Sequence, residues 1–331
     1  LANKNSFIFE SVEKGKIRGR YTIIGLNPDK SWDINKKKIK INNDGKVRFL
    51  KSNPLSFLNN LINKFNMKIP SKIPFMSSML VGYFSYDCIR YLEKIPDNCK
   101  DDLKIPEVRL LRPKTLIIYD NLSKKIFYVE NIFADRKIND YFEEYIAIKK
   151  RFEDFEFLQN IYLPKIFTYK KNTHKIQSNI SKNKFKSMVK SAKKYITKGD
   201  IFQVVLSQRF ERKFLKQPLE IYNHLRKFNP SPFMFYFNFD DFKVLGSSPE
   251  ILVRLRKNKI TIRPIAGTRP RGKNKKQDFK YAKDLIKDKK ELAEHLMLLD
   301  LGRNDVGKVS KVNSVVVTEK FKIEKYSHVM H

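Results

Sequence analysis

The feature that most constrains the fold is a series of short apolar runs in the first 135 residues, separated by Asn, Asp, Gly and Pro. Runs of this length between turn-forming residues are typical of β-strands. They are SFIFESV, RYTIIGL, KIKINN, KVRFL, VRLLRPKTLIIYD and KKIFYVENIF, and residues 120–121 predict a hairpin between the last two. Helical spacing appears around residues 55–65 and 141–155. The first half is therefore predicted to consist mainly of β-strands.

The second half opens with an amphipathic helix that ends at Gly199. Its apolar residues follow the i, i+3, i+4, i+7 rule, and they are Phe185, Met188, Val189, Ala192, Tyr195 and Ile196. Strands are predicted in IFQVVLSQRF, PFMFYFNF and FKVLGSS, with a helix over 219–228 and a hairpin turning at 257–258. A helix then leads to ELAEHLMLLDL, and KVNSVVVTEKFKIEKY predicts a last strand. Antiparallel strands interspersed with helices predict an α+β fold.

A polar stretch without periodicity, residues 159–181, lies between the two halves. We therefore predict an N-terminal subdomain over residues 1–158, a linker over 159–181 and a second domain over 182–331. The chain begins with Leu1 rather than Met, and it stops in an apolar segment that no cap or turn follows. We expect a fragment whose second domain is truncated at its C-terminus.

The net charge is +34, from 69 Lys and Arg against 35 Asp and Glu, and it raises the question of a nucleic-acid partner. Nucleic-acid surfaces favour Arg forks and clustered basic stripes, whereas Lys is scattered here through nearly every segment. We therefore expect no nucleic-acid partner. A basic nucleic-acid-binding protein remains the alternative from a different class.

The sequence carries no pattern for export or membrane insertion. No apolar run approaches the roughly 18 residues that a membrane span needs, and the first residues do not form a signal peptide. The two cysteines, Cys88 and Cys99, make neither a disulfide framework nor a metal-ligand spacing, which fits a reducing compartment. We expect a cytoplasmic protein with no membrane partner.

Two carboxylates on one predicted helix, Glu291 and Glu294, form a candidate cation site. Residues three apart on a helix face the same side, and Mg²⁺ prefers oxygen ligands while keeping waters or substrate oxygens in its other positions. Solvated surface carboxylates are the commoner explanation for such a pair taken alone. The pair is therefore a hypothesis that needs further support.

The segment PIAGTRPRG, residues 264–272, can present backbone N–H groups and Thr268 to an anion, with Arg269 and Arg271 nearby. An exposed tight turn is the alternative. Upstream, GSSPE brings Glu250 out of a strand end, either as a general acid or as a solvated loop carboxylate. Dinucleotide-binding, Walker and serine-hydrolase motifs are absent from the sequence, so those chemistries have no support.

The chain resembles chorismate-utilising enzymes, and among them the anthranilate synthases. The resemblance rests on the ordered motifs KGDIFQVVLSQRF, NPSPFMFYF, GSSPEILV, PIAGTRPRG, ELAEHLMLLDLGRND and EKYSHVMH, and on the N-terminal segments SFIFESVEKGKIRGRYTIIGLNP and LVGYFSYDCIRY. It covers nearly the whole chain. It implies antiparallel sheets packed as a β-sandwich with helices outside, and a chorismate-binding catalytic domain in residues 182–331.

The resemblance implies a reaction in which ammonia adds to the ring of chorismate as a hydroxyl leaves, and pyruvate is then eliminated to give anthranilate. Mg²⁺ is the implied cofactor, with Glu291 and Glu294 matching the metal-binding carboxylates. Glu250 matches the acid that protonates the departing hydroxyl, and His331 the catalytic histidine of the proton removal. The substrate-binding loop is matched by Ala266, Gly267 and Thr268. Further metal ligands of the family follow later in its sequences, so we expect this 331-residue chain to be inactive alone.

Two positions discriminate within the family. Gln203 stands where relatives that add water to chorismate have a Lys that activates water, and Ala266 stands where aminodeoxychorismate synthases commonly have a Lys that attacks the ring. Both residues favour anthranilate formation. An aminodeoxychorismate synthase component is the closest alternative, and a catalytically inactive regulatory homologue is a further one.

The resemblance also implies a regulatory site and a protein partner. Glu10 and Ser11 resemble one wall of a tryptophan feedback pocket, and a plain buried edge strand is the alternative for this segment. The other wall is matched by Pro232, Phe233 and Met234. The implied partner is a glutamine amidotransferase that supplies ammonia, because no Cys and His arrangement for glutamine hydrolysis is evident in this chain.

Overall fold

The computed structural model describes residues 4–12, 19–65, 67–135, 141–159, 174–326 and 328–331. The chain divides into two compact units. The larger unit combines Leu1–Asp154 with Tyr222–His331, and the smaller one is Phe155–Ile221. Strands from both ends of the sequence therefore meet in the larger unit.

The strands of the described residues are β1 (Ser6–Glu10), β2 (Tyr21–Asn35), β3 (Lys38–Asn43), β4 (Lys46–Lys51), β5 (Val81–Phe84), β6 (Val108–Asp120), β7 (Lys125–Glu130), β8 (Gln177–Ser178), β9 (Phe210–Glu211), β10 (Phe233–Asn238), β11 (Lys243–Ser248), β12 (Arg254–Arg256), β13 (Lys259–Thr261), β14 (Arg269–Pro270) and β15 (Val329–Met330). The helices are α1 (Pro54–Lys64), α2 (Tyr141–Gln159), α3 (Lys182–Lys198), α4 (Pro218–Phe228), α5 (Lys275–Lys287) and α6 (Lys289–Gly307), with a 3₁₀ helix over Tyr86–Tyr91. The predicted α+β class with antiparallel sheets is confirmed.

The larger unit is built on a nine-stranded antiparallel sheet in the order β11-β10-β1-β2-β3-β4, with β6 on the other edge of β2 and β5 and β7 beside β6. The long strand β2 pairs with β1 through its first half and with β3 through its second, while β6 follows it along both halves. The register shifts between Pro28 and Lys30, where proline offers no N–H to the ladder. The irregularity lies on the edge of β2 that faces β6, while β1 and β3 pair in turn with its other edge.

Two apolar clusters hold the sheet together. One lies where β1, β2, β6 and β10 meet, and it is built of Phe7, Ile23, Val81, Leu111, Leu116, Ile118, Phe237 and Phe239. The other packs helix α1 through Leu58 against β2, β3 and β6. Strand β3 shows the expected alternation, since Ile39 and Ile41 are buried and Lys38 and Lys40 are exposed. Burial of one face therefore fixes the register of these strands.

Helix ends agree with the sequence signals. Ser181 caps α3 by accepting a hydrogen bond from the Lys184 N–H, and Gly199 ends the helix in the left-handed conformation, with φ of +81°. Asn53 caps α1 in the same manner, with Pro54 as the first helical residue. The predicted helices over 55–65, 141–155 and 219–228 and the hairpin turns at 120–121 and 257–258 are all found.

Two predicted strands are wrong. In IFQVVLSQRF only Phe210 joins a strand, and in KVNSVVVTEKFKIEKY only Lys325 forms an isolated bridge, to Met330. Within the described residues the apolar side chains of both segments are largely exposed, including Phe202 at 90% and Val312 at 92%. Alternation marks a face that could be buried, but a strand also needs a neighbour to complete its hydrogen bonds.

The predicted linker stays a prediction, because residues 160–173 lie outside the described residues. The main sheet takes β1 and β2 from before this stretch and β10 and β11 from after it. In the described part of the chain, no helix combines the length and the apolar character that crossing a membrane requires.

Candidate functional site

A cavity of about 100 Å³ lies beside the loop that follows β13. Ala266 and Gly267 of the loop, Glu291 of α6 and the terminal His331 all line it. The chain brings them together because β14 pairs with β15, with Arg269 opposite Met330. Four residues that the sequence analysis singled out therefore share one cavity.

Gly267 is required at its position for two reasons. Its φ is +72°, a conformation that costs a side-chain-bearing residue roughly 1–2 kcal/mol. A Cβ there would also lie 3.2 Å from Glu291 Oε2 and 3.1 Å from Leu285 Cδ1. An added Cβ would therefore require both neighbouring side chains to shift by a few tenths of an ångström.

His331 is held by the same loop. Its Nδ1 lies 3.1 Å from the Gly267 carbonyl oxygen and 3.1 Å from Thr268 Oγ1. A carbonyl oxygen only accepts, so Nδ1 is the protonated nitrogen of the neutral ring, and Nε2 carries the lone pair. In this tautomer Nε2 is the hydrogen-bond acceptor of the ring.

The backbone around His331 is fixed by a short hairpin. The N–H groups of His331 and Glu324 each donate to the other's carbonyl oxygen at 2.9 Å. Glu324 Oε2 accepts from Arg263 Nη2 at 2.7 Å and from the Tyr326 hydroxyl at 2.6 Å, and the Tyr326 ring stands edge-on to the imidazole with centroids 5.6 Å apart. These three supporting residues could not be predicted from the sequence, because no spacing rule links residue 263 to residues 324–326.

Glu250 is hydrogen-bonded to the loop of residues 264–268. Its Oε1 accepts the Ile265 N–H at 3.0 Å, so this carboxylate sits at the entry of the loop although it follows a different strand, β11. Its own N–H lies 3.4 Å from Ser248 Oγ, which restrains the turn that carries it. Glu250 is exposed, and one of its carboxylate oxygens accepts this hydrogen bond.

Glu291 and Glu294 lie in the first two turns of α6. Asp288 caps this helix by accepting from the Lys290 and Glu291 N–H groups at 3.0 and 3.3 Å. Glu291 lines the cavity, whereas Glu294 is not one of the lining residues. Among the described residues no cluster of three His, Cys, Asp or Glu side chains forms a complete metal site. Carboxylate oxygens are the ligand type that a hard cation prefers, so the chemistry of the pair is compatible with a partial site.

The two arginines of the loop are engaged by carboxylates. Arg269 bonds Asp284 and Asp288, and Arg271 bonds Asp278 through Nε at 2.8 Å. The Arg271 hydrogen bond holds the pKa of the Asp278 carboxyl well below its ordinary value. These guanidinium groups therefore serve as internal supports, and the idea that they stand ready for an anion is not supported by their contacts.

The proposed feedback residues also come together. Strand β1 pairs with β10 so that Glu10 lies opposite Met234, and the Val12 N–H donates to the Ser231 carbonyl oxygen at 2.9 Å. Ser11 follows Glu10 directly, while Pro232 and Met234 are buried and Phe233 is exposed.

Two residues of α4 contact Glu10 of this group. Glu10 accepts hydrogen bonds from the Tyr222 hydroxyl at 2.8 Å and from Arg226 Nε at 2.5 Å. Burial, together with the Glu10 contact, raises the pKa of Tyr222 above its ordinary value. The spacing of Tyr222 and Arg226 by one helical turn is a signal that could have identified them as partners of one carboxylate.

The structure also shows the surroundings of Gln203, His328 and His295. Gln203 is exposed in the smaller unit, outside regular secondary structure. His328 Nε2 lies 2.8 Å from the Phe228 carbonyl oxygen, which agrees with a structural role. His295 also lines the cavity and packs on Phe321 with ring centroids 5.4 Å apart.

A family profile for chorismate binding enzymes matches residues 4–331. The chain belongs to this family, as its motifs predicted. It is 41% identical to anthranilate synthase component 1 of Cereibacter sphaeroides and 41% identical to that of Aquifex aeolicus. In each case all of this chain is covered, with 67% of the first relative and 68% of the second. The chain thus spans about two thirds of these relatives.

Solved structures give the same answer. The crystal structure of anthranilate synthase component I from Streptococcus pneumoniae superimposes with a TM-score of 0.78 at 28% identity, covering 97% of this chain and 70% of that one. The menaquinone-specific isochorismate synthase MenF of Escherichia coli shares the fold, with a TM-score of 0.60 at 14% identity over 99% of this chain and 63% of that one. The protein is therefore a chorismate-utilising enzyme with the fold of this family.

Proposed function

We propose that the protein is the large component of an anthranilate synthase, forming anthranilate and pyruvate from chorismate and ammonia. The observation that carries the proposal is the pairing of His331 Nδ1 with Gly267 and Thr268 beside Glu291, at 3.1 Å from each loop residue. The relatives named anthranilate synthase component 1 support it at about 40% identity over the whole chain. Ala266 and Gln203 argue against the members of the family that attack with Lys or add water.

The side chains divide the proton transfers between them. Glu250 protonates the ring hydroxyl so that it leaves as water when ammonia adds. The lone pair of His331 Nε2 then takes the ring proton as the enolpyruvyl group departs as pyruvate. Thr268 and Gly267 hold the imidazole in the tautomer that this step needs. Ala266 and Gly267 supply the wall of the substrate cavity.

Glu291 and Glu294 would hold Mg²⁺, with the remaining positions filled by other oxygens. The ion would neutralise charge on a carboxylate of the substrate. The chain contributes the carboxylates and their support, because the Asp288 cap fixes the first turn of the helix that carries them.

The proposal includes a partner and an inhibitor. A glutamine amidotransferase subunit would supply ammonia, which makes the enzyme a hetero-oligomer. L-Tryptophan would bind beside Glu10, Ser11 and residues 232–234, a site shared by strands from the predicted N-terminal subdomain and the catalytic domain. A cytoplasmic location is supported by Cys88 and Cys99, which are free thiols.

The test is a product assay on the full-length protein with chorismate, an ammonium salt and Mg²⁺. Fluorescent anthranilate and one equivalent of pyruvate are expected. Accumulation of an amino product that retains the enolpyruvyl group would instead identify an aminodeoxychorismate synthase, and release of neither product would refute both. Binding to RNA or DNA with a steep salt dependence would favour the nucleic-acid alternative.

A further inference from the structure

The Arg269 guanidinium group joins the substrate loop to two helices. Its Nε donates to Asp284 Oδ2 at 2.6 Å, and its Nη2 donates to Asp288 Oδ2 at 2.7 Å. Nη1 donates to the Thr268 carbonyl oxygen at 3.0 Å and lies 3.6 Å from Glu291 Oε1. One planar group thus contacts the end of α5, the cap of α6, the loop backbone and a proposed metal ligand.

Each of these contacts involves a residue that supports Glu291 or His331 of the proposed site. Asp288 caps α6 and so sets the direction of the turn that bears Glu291. The Thr268 carbonyl belongs to the residue whose hydroxyl contacts His331. The Arg269 backbone pairs with Met330, which is fully buried and directly precedes His331. Arg269 therefore links the loop to β15, which precedes His331, and to α6, which carries Glu291.

Only a guanidinium can make this set of contacts. Its donors point in fixed directions from a planar fork, whereas the ammonium of Lys is a single point charge. The side chain is only 20% exposed, and its Nε and Nη2 donate to the Asp284 and Asp288 carboxylates. The cation is permanently charged and its donors are directed at protein groups rather than at a ligand.

We propose that Arg269 is a positioning residue of the catalytic centre, which sets the distance between the Gly267–Thr268 loop and Glu291. The proposal rests on the proposed function, because that function makes Glu291 a metal ligand and His331 a base. The Arg269 donors are taken up by protein groups, so it acts through Asp288, Thr268 and Glu291.

The test uses the full-length protein and two measurements. Arg269→Gln is expected to lower kcat about 10- to 100-fold, the range for residues that orient metal ligands. It is also expected to weaken Mn²⁺ binding, measured by electron paramagnetic resonance as a stand-in for Mg²⁺, by about 10-fold. Arg269→Lys should recover only part of either loss, since one ammonium cannot span both carboxylates.

A second variant distinguishes an effect on the geometry of the site from a loss of folding stability. Asp288→Asn keeps a good helix cap, because Asn caps as well as Asp, but it removes the charged partner of Arg269. It should reproduce the loss in kcat with little change in Tm, and combining it with Arg269→Gln should add little further loss. Asp284→Asn removes a partner of Arg269 that is 60% exposed. This variant should lower kcat much less than Asp288→Asn does.

The matched control is Arg303→Gln, which breaks an exposed ion pair with Asp300 on the same helix α6. If Arg269→Gln and Asp288→Asn change kcat and Mn²⁺ affinity no more than this control, or if Arg269→Lys restores both fully, the proposal is overturned. If wild-type protein binds Mn²⁺ but forms no anthranilate, the proposed function fails, while the Mn²⁺ titrations still decide the role of Arg269.

Discussion

The imidazole Nδ1 of His331 lies 3.1 Å from the carbonyl oxygen of Gly267. These residues are far apart in sequence, and the short β14–β15 pairing brings them together. A glycine that needs its positive φ thus also determines which nitrogen of a histidine is protonated. The geometry of the loop therefore favours the Nδ1–H tautomer of a neutral His331 ring.

Replacing His331 tests the proposed base. His331→Ala should lower kcat for anthranilate formation by about 10²- to 10⁴-fold, the usual contribution of a positioned acid–base group. KM for chorismate should change much less. His328→Ala is the control, because His328 contacts the Phe228 carbonyl oxygen instead of the cavity loop. Equal losses in the two variants would contradict the assignment.

Gly267→Ala should reduce both activity and stability. The positive φ costs roughly 1–2 kcal/mol for alanine, and the added Cβ would lie 3.2 Å from Glu291 Oε2. Denaturant unfolding measures the first effect, and the Mg²⁺ dependence of kcat measures the second. Gly45→Ala provides a control, since it has a φ of +86° with no atom within 4 Å of the added Cβ. It should cost comparable stability without changing the Mg²⁺ dependence.

Feedback inhibition should depend on Glu10. Glu10→Gln weakens the contacts with Tyr222 and Arg226, so half-maximal inhibition should require at least about 10-fold more tryptophan. The measurement compares rates with and without tryptophan on the same variant. Glu93→Gln, at an exposed position, should leave the inhibition curve unchanged. An unaltered curve for Glu10→Gln would place the inhibitor elsewhere.

The ion pairs of Asp135 should make the free energy of unfolding depend on pH in the acid range. Burial opposes its ionisation, yet hydrogen bonds from Arg112 and Lys30 lower the pKa of Asp135 from 3.8 to about 2. A depressed carboxyl pKa stabilises the folded state above the unfolded value of 3.8, and this contribution is lost as pH falls through 2. Because the Asp135 side chain is 50% exposed, solvent screening reduces its contribution to the free energy of unfolding to about 1 kcal/mol.

Asp135→Asn should therefore lower the free energy of unfolding by about 1 kcal/mol at pH 7, and the difference from wild type should disappear near pH 2. Urea unfolding at a series of pH values measures this. Asp305→Asn, which removes an exposed pair with Lys308, serves as the control and should show no comparable pH dependence.

Much of the fold could be predicted because local signals and burial agree. Ser181 and Gly199 mark the ends of α3, and Ile39 and Ile41 alternate with lysines in β3. The failures have one physical origin. The segments around Val205 and Val316 alternate like strands, but strand formation depends on a partner that no local pattern specifies.

The candidate site, like the fold, could be predicted only in part. Glu250, Gly267, Glu291 and His331 could be named from motifs, because each lies in a segment that resembles the family. Arg269 could be noticed, but its partners could not be predicted. Its contacts with Asp284 and Asp288 depend on how α5 and α6 meet the loop, which is a property of packing.

The pairing of β1 with β10 bears on the synthesis of the protein. Glu10 leaves the ribosome more than 200 residues before Met234, its partner across the two strands. At about 5–20 residues per second, the delay is on the order of 10–40 s. During this interval β1 can pair with β2 while its other edge stays open, and such edges attract foreign strands. Chaperone occupancy on nascent chains should therefore persist until β10 emerges.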